Sequence, residues 1–129
     1  MQTIIMSIKP QYWNKIASGK KTVEFRKRVW KDHTLPTKVI VYATQPIGKI
    51  VGEFITDNII SDRCPKLWSQ TKDLGGISSY EYFDYFVESE IAHAIAIKNV
   101  KIYPNAESIR GFTHNQINRA PQSWQYFNQ

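Results

Sequence analysis

Short apolar runs, each ended or interrupted by proline or glycine, constrain this chain more than any other feature. Thr3 to Ile8 stops at Lys9-Pro10, Lys38 to Thr44 stops at Gln45-Pro46, and Lys49 to Ile60 carries Gly52 inside it. Runs of this length between breakers read as strands rather than helices. None approaches the ~20 residues of a membrane span, so no membrane partner is expected. Lys38 to Thr44 is apolar on both faces, as in a covered sheet, and Gly52 marks a bulge or bend. Glu90 to Tyr103 reads as one long strand, with Ile91, His93, Ile95 and Ile97 on one face and Ala92, Ala94 and Ala96 on the other.

The helices are short. Lys9-Pro10 starts one over Pro10 to Ser18, because proline at the first helical position loses no needed hydrogen bond, and Gly19 ends it. Cys64-Pro65 opens a second through about Thr71. Ser78 with Glu81 forms a capping box for a third, Ser78 to Val87, whose expected buried face is Tyr82, Phe83 and Phe86. Pro104 to Phe112 reads as a loop. The 129 residues suit one domain. The expected fold is α+β, a small, mostly antiparallel β-barrel of five or six strands with two or three short helices. Cys64 is the single cysteine, so no internal disulfide is possible. With no secretory pattern at the N-terminus, a reducing, cytoplasmic location is expected.

Charge is unevenly distributed. Residues 9 to 38 hold nine Lys/Arg against Glu24 and Asp32, a net of +7, which leaves −1 for the remainder of a chain whose total is +6. A concentrated positive segment points to a polyanionic partner, nucleic acid first and a phosphate-bearing, nucleotide-like ligand second, with a solvated basic face as the alternative. Walker, Rossmann, zincin and nucleophile-elbow motifs are absent. His33, His93 and His114 have no cysteine partners, so neither a metal nor a cofactor is expected. His93, among isoleucines, reads as a hydrogen-bonded core residue.

The densest chemistry lies in Ser18-Gly19-Lys20-Lys21-Thr22-Val23-Glu24-Phe25-Arg26, which runs from a helix end into a strand. Gly19 permits a tight turn with backbone amides free to meet an anion, and Lys20 and Lys21 add charge there. Period two places Val23 and Phe25 inward, with Glu24 and Arg26 together on the opposite face. Arg26 offers a planar fork to a phosphate or base edge, and Glu24 can hold it or accept from a base amino group. An ordinary surface ion-pair ladder is the alternative. Lys27 and Arg28 extend the charge. Trp30, among Lys27, Arg28 and Lys31, is the expected base-stacking ring. Residues 119 to 124 are expected either to close over the cleft or to pack as a terminal strand.

The run from Ser7 to Arg26, with Val41 to Pro46, Gly48 to Phe54 and the closing Arg119-Ala-Pro-Gln-Ser-Trp124, resembles the ASCH domain of the PUA-like superfamily. Its spacing Gly-x-Lys-x-x-Glu-x-Arg falls on Gly19, Lys21, Glu24 and Arg26. The resemblance implies a small β-barrel, a cleft beside the helix-to-strand turn, and RNA binding or regulation coupled to RNA. By position the cleft residues are Gly19, Lys21, Glu24 and Arg26, with Tyr12 and Ser123. Some small bacterial members are amidohydrolases acting on N4-acetylcytidine through a lysine, a threonine and a glutamate. Lys21 matches the lysine, Glu24 stands where the threonine is expected, and Leu74-Gly75-Gly76-Ile77 supplies no acid. Other members imply cleavage of single-stranded RNA, with Lys21, Tyr12 and Ser123 as participants. For either enzyme, Lys21 and Glu24 are the catalytic candidates. Glu24 beside Lys21 is expected to raise the lysine pKa.

Overall fold

The computed structural model describes residues 1–33 and 36–129. In chain order the elements are β1 (Gln2–Ile8), α1 (Pro10–Ala17), β2 (Val23–Arg26), β3 (Thr37–Ala43), β4 (Lys49–Thr56), β5 (Ile59–Arg63), α2 (Cys64–Thr71), α3 (Ser79–Tyr85), β6 (Ile91–Ala96), β7 (Lys98–Glu107), α4 (Ile109–Phe112) and β8 (Trp124–Tyr126). The fold is α+β and its strands form two sheets, ordered β7-β4-β3-β1-β8 and β2-β6-β5. β1 and β3 are parallel and every other pairing is antiparallel. Among the described residues no strand pairing closes these sheets into the expected barrel.

Two strands anticipated as continuous instead change sheet partway. Lys49 to Ile60 divides at Asp57-Asn58, and Glu90 to Tyr103 divides at Ile97. The corners are tied together, since Ala96 N–H donates to the Asn58 carbonyl and Lys98 pairs with Asp57. The supposed loop from Pro104 continues β7 to Glu107 before α4.

Three apolar clusters hold the layers. Ile4, Met6 and Ile8 of β1, with Val39 and Val41 of β3, meet Trp13 and Ile16 of α1 and Ile95 of the small sheet. Ile5, Ile40 and Ile50 on the opposite face are covered by Ile109, Ile117 and Phe127. Val23, Phe25, Ala92 and Ala94 pack on Leu67 of α2 and on Tyr82 and Phe86 of α3. Phe83, expected in that face, is 41% exposed, because the inward pair on a helix is i and i+4 and residue 83 falls beside it.

The expected irregularity at Gly52 is present. Register shifts between Ile50 and Gly52, so Ile50 and Phe54 serve opposite faces although strict alternation would place them together. A methyl on Gly52 would lie 2.5 Å from the Lys101 carbonyl oxygen and 2.6 Å from Trp13. Gly52→Ala is therefore expected to destabilise the domain by about 1–3 kcal/mol through overpacking, read as a lower urea midpoint.

Candidate functional site

The turn after α1 does not present the expected anion-binding amides. Gly19 adopts φ +80 and sends the chain back over the helix end. Its own N–H donates to Ile16, and those of Lys20 and Lys21 both donate to the Lys15 carbonyl. The helix thus consumes the donors. Lys20 is left exposed, whereas Lys21 turns inward and is 2% exposed.

Glu24 and Arg26 share a strand face as alternation requires, but that face is covered too: they are 5% and 9% exposed. Lys21 Nζ lies 3.3 Å from Glu24 Oε1 and donates to the Gly75 carbonyl at 2.5 Å. Arg26 donates to Glu24 Oε2 from Nε at 3.0 Å and from Nη2 at 2.7 Å. The same Nη2 reaches the Ser7 carbonyl at 2.7 Å, and Nη1 reaches Ser123 Oγ at 3.2 Å. Arg26 is thus a tie between β1, β2 and the C-terminal segment, which leaves little of its fork for a phosphate. The close packing at Gly75 follows from its lack of a side chain: a methyl there would sit 2.2 Å from the Phe25 ring.

The electrostatics differ from expectation at one point. Burial pushes the Lys21 ammonium below its ordinary pKa, and nearby Glu24 offsets this without reversing it. Burial alone would raise the Glu24 carboxyl, but the Arg26 and Lys21 charges hold it below the usual carboxylate value. A lysine whose charge is disfavoured while it keeps a carboxylate contact is the kind of group found at binding and catalytic sites.

This network forms the floor of a cleft of about 550 Å³. One wall is Tyr12, whose hydroxyl donates to Glu81 Oε2 at 3.1 Å. A second is α3, which contributes Tyr80, Glu81, Asp84 and Tyr85. Gln122 and Ser123 form the third, held by Ser7 Oγ donating to the Pro121 carbonyl and Ser7 N–H donating to Ser123. The segment ending at Ser123 therefore borders the cleft, and Trp124 begins β8 against β1. Charged lining residues balance, with Lys9, Lys21 and Arg26 against Glu24, Glu81 and Asp84.

Among the anticipated residues, Tyr12, Lys21, Glu24, Arg26 and Ser123 converge on the cleft, while Gly19 only shapes the turn. Lys20, Lys27 and Arg28 are exposed outside the lining. Lys27 Nζ sits 4.7 Å from the ring centre of the cleft-lining Tyr85 and so marks the rim, while the Arg28 guanidinium lies farther out, 4.9 Å from the ring centre of Trp124, the residue after the lining Ser123. Trp30 is not a stacking ring for a ligand: it is 1% exposed, edge-on to Trp124 at 5.6 Å in the main core. His93 is half-buried with Nδ1 2.6 Å from Ser61 Oγ. No group of three or more His, Cys, Asp or Glu side chains among the described residues is arranged to hold a metal.

Sequence reasoning missed Glu81, Asp84, Tyr80, Tyr85 and Ser7. Residues 74–77 carry no acid, and the carboxylates of the α3 wall are Glu81 and Asp84. The signal for Glu81 was the capping box, which explained the residue by only one of its oxygens: Oε1 accepts from Ser78 and Oε2 from Tyr12.

Fold and cleft together define a small two-sheet α+β domain with a buried Lys–Glu–Arg network beneath a charge-balanced, tyrosine-walled cleft. The chain belongs to the ASCH domain family, whose pattern it matches over residues 6–101. It is 33% identical over 95 residues to an ASCH domain-containing ribonuclease of Zymomonas mobilis, a stretch covering 74% of this chain and 64% of that protein. A crystal structure of ASCH from Zymomonas mobilis matches with a TM-score of 0.87 at 27% identity, covering 98% of this chain and 88% of that one. The ATP synthase subunit alpha of Ureaplasma parvum serovar 3 contains a stretch 31% identical over 126 residues, 97% of this chain but 15% of that protein. The chain thus spans less than two thirds of the length of these curated relatives.

Proposed function

We propose that this domain binds single-stranded RNA, taking a nucleoside into the cleft while the phosphodiester backbone stays outside along Lys20, Lys27 and Arg28. One observation carries the reading: positive and negative side chains cancel within the cleft, and the surplus cations stand at and beyond its rim. A polyanion gains most where cations are uncompensated and exposed. A nucleoside gains most from a concave site of aromatic walls and a few fixed polar groups. The ribonuclease name of the Zymomonas relative agrees with this ligand class.

The test is a paired charge reversal, Lys27→Glu with Arg28→Glu. Both residues are exposed, so the domain should keep its melting temperature. Affinity for a short single-stranded RNA, followed by fluorescence anisotropy, should fall at least tenfold at low salt. The log–log salt slope should become shallower by about 1.4, at ~0.7 per lost phosphate contact on a single strand. Unchanged affinity and slope would end the proposal.

Hydrolysis of the bound RNA is a second reading, favoured by the depressed Lys21 pKa beside Glu24 and Tyr12. Lys21 is the group that would move a proton. Amide hydrolysis on an acylated cytidine draws on the same lysine, with Glu81 as the acid in reach of the cleft.

A further inference from the structure

Helix α3 sorts its side chains sharply. Tyr82 and Phe86 point into the core, while Tyr80, Glu81, Asp84 and Tyr85 face the cleft. Two of those four are large rings left in water, Tyr80 at 80% and Tyr85 at 38% exposure. Leaving aromatic area in solvent forgoes burial energy, and the chain recovers nothing from Tyr80, whose ring and hydroxyl have no partner among the described residues. Tyr85 by contrast is pre-set: Lys27 Nζ lies 4.7 Å from its ring centre and Phe86 packs edge-on at 4.7 Å.

We propose that Tyr80 and Tyr85 form a stacking platform for successive unpaired bases, so that the site selects single-stranded over double-stranded RNA. The inference rests on the RNA reading above and adds which residues choose the strand state. Five residues of helix set the two positions about 7.5 Å apart along the axis and about 140° apart around it, so the rings border the cleft as two separate faces rather than as one stack. A base can lie on such an isolated ring only if its own face is free, as in an unpaired, unstacked nucleotide and not inside a duplex. Lys27 places a cation against one ring at the point where a phosphate would follow the base. Aromatic platforms interleaved with cations are how single strands are held without a fixed sequence. An acidic or apolar protein partner would use the cations or the rings, but it has no need of two rings bordering a nucleoside-sized cleft.

The experiment compares fluorescein-labelled single-stranded heptamer RNA, the same heptamer with abasic sites on either side of one retained base, and a blunt duplex of the same sequence. Tyr80→Ala and Tyr85→Ala should each weaken heptamer binding about tenfold or more. Tyr80→Phe and Tyr85→Phe should bind like wild type. Wild type should prefer the full heptamer to both other probes, and this preference should shrink in each alanine variant. Tyr80 is exposed, so its variant tests the idea even if Tyr85→Ala disturbs packing with Phe86. Alanine variants that bind the heptamer like wild type, or a wild type that binds duplex equally well, would overturn the platform. If those results appear while the Lys27/Arg28 reversal still weakens binding, the platform alone fails and the RNA reading stands. A wild type that binds no RNA removes both.

Discussion

Glu24→Gln should lower the melting temperature by about 10 °C or more, the largest stability loss expected of any single polar substitution in this domain. Two cations, Lys21 and Arg26, are 2% and 9% exposed, and both use the Glu24 carboxylate as their anionic partner. Removing one member of a buried charge network typically costs ~3–5 kcal/mol, because the remaining charges stay desolvated without compensation. In a domain of this size each kcal/mol is worth roughly 3–5 °C. Lys21→Met should cost much less, since it leaves both Arg26 hydrogen bonds to Glu24 Oε2 intact. Thermal unfolding followed by circular dichroism checks both, and a Glu24→Gln loss below about 1 kcal/mol would show that water compensates the network.

The same network makes one contribution to stability acid-sensitive. The folded-state pKa of Glu24 lies below its ordinary value of 4.5. The unfolded chain therefore takes up the proton first as pH falls. The stability contributed by Glu24 is complete above about 4.5 and is lost as pH drops through the lower folded value. Lys21 also makes stability rise with pH, but from a penalty: its folded pKa is depressed, so its charged form opposes folding at neutral pH and this opposition fades as the group deprotonates at alkaline pH.

What could be read from the sequence was local. Proline at the start of α1, the capping box of α3 and the alternation in β2 each depend on neighbours within a few residues, and all three are present. Alternation also put Glu24 and Arg26 on one face, but it could not say that the face is buried. Its cover comes from Ser7, Gly75 and Ser123, up to 97 residues away in sequence. Trp30 shows the reverse error. Charged neighbours suggested exposure, yet outside a regular element adjacent side chains can point anywhere, and Arg28 instead covers Trp124 while Trp30 enters the core. The sheet changes at Asp57-Asn58 and Ile97 went unread because the flanking residues all suit extended backbone; the signals were the polar pairs Asp57-Asn58 and Lys98-Asn99, the latter with Asn99 at φ +54.

If the cleft is catalytic, Lys21→Met should reduce turnover at least a hundredfold while weakening RNA binding less than tenfold. General acid–base groups typically contribute 10²–10⁴-fold to rate, whereas Lys21 sits beneath the cleft and the surplus cations that meet the backbone lie elsewhere. The side chain is nearly isosteric, so the floor keeps its shape and the Glu24–Arg26 pair its geometry. Lysine acting as a base must first lose its proton, and burial favours that loss. The wild-type pH–rate profile should therefore rise through a midpoint below the ordinary lysine value of 10.5, and that limb should vanish in Lys21→Met. Single-turnover cleavage of labelled single-stranded RNA across pH provides the measurement. Equal rates in both proteins would remove Lys21 from the chemistry. Binding without cleavage in either would leave the domain as a recognition module, with the Lys21 network serving to fix Ser123 and Arg26 at the cleft floor.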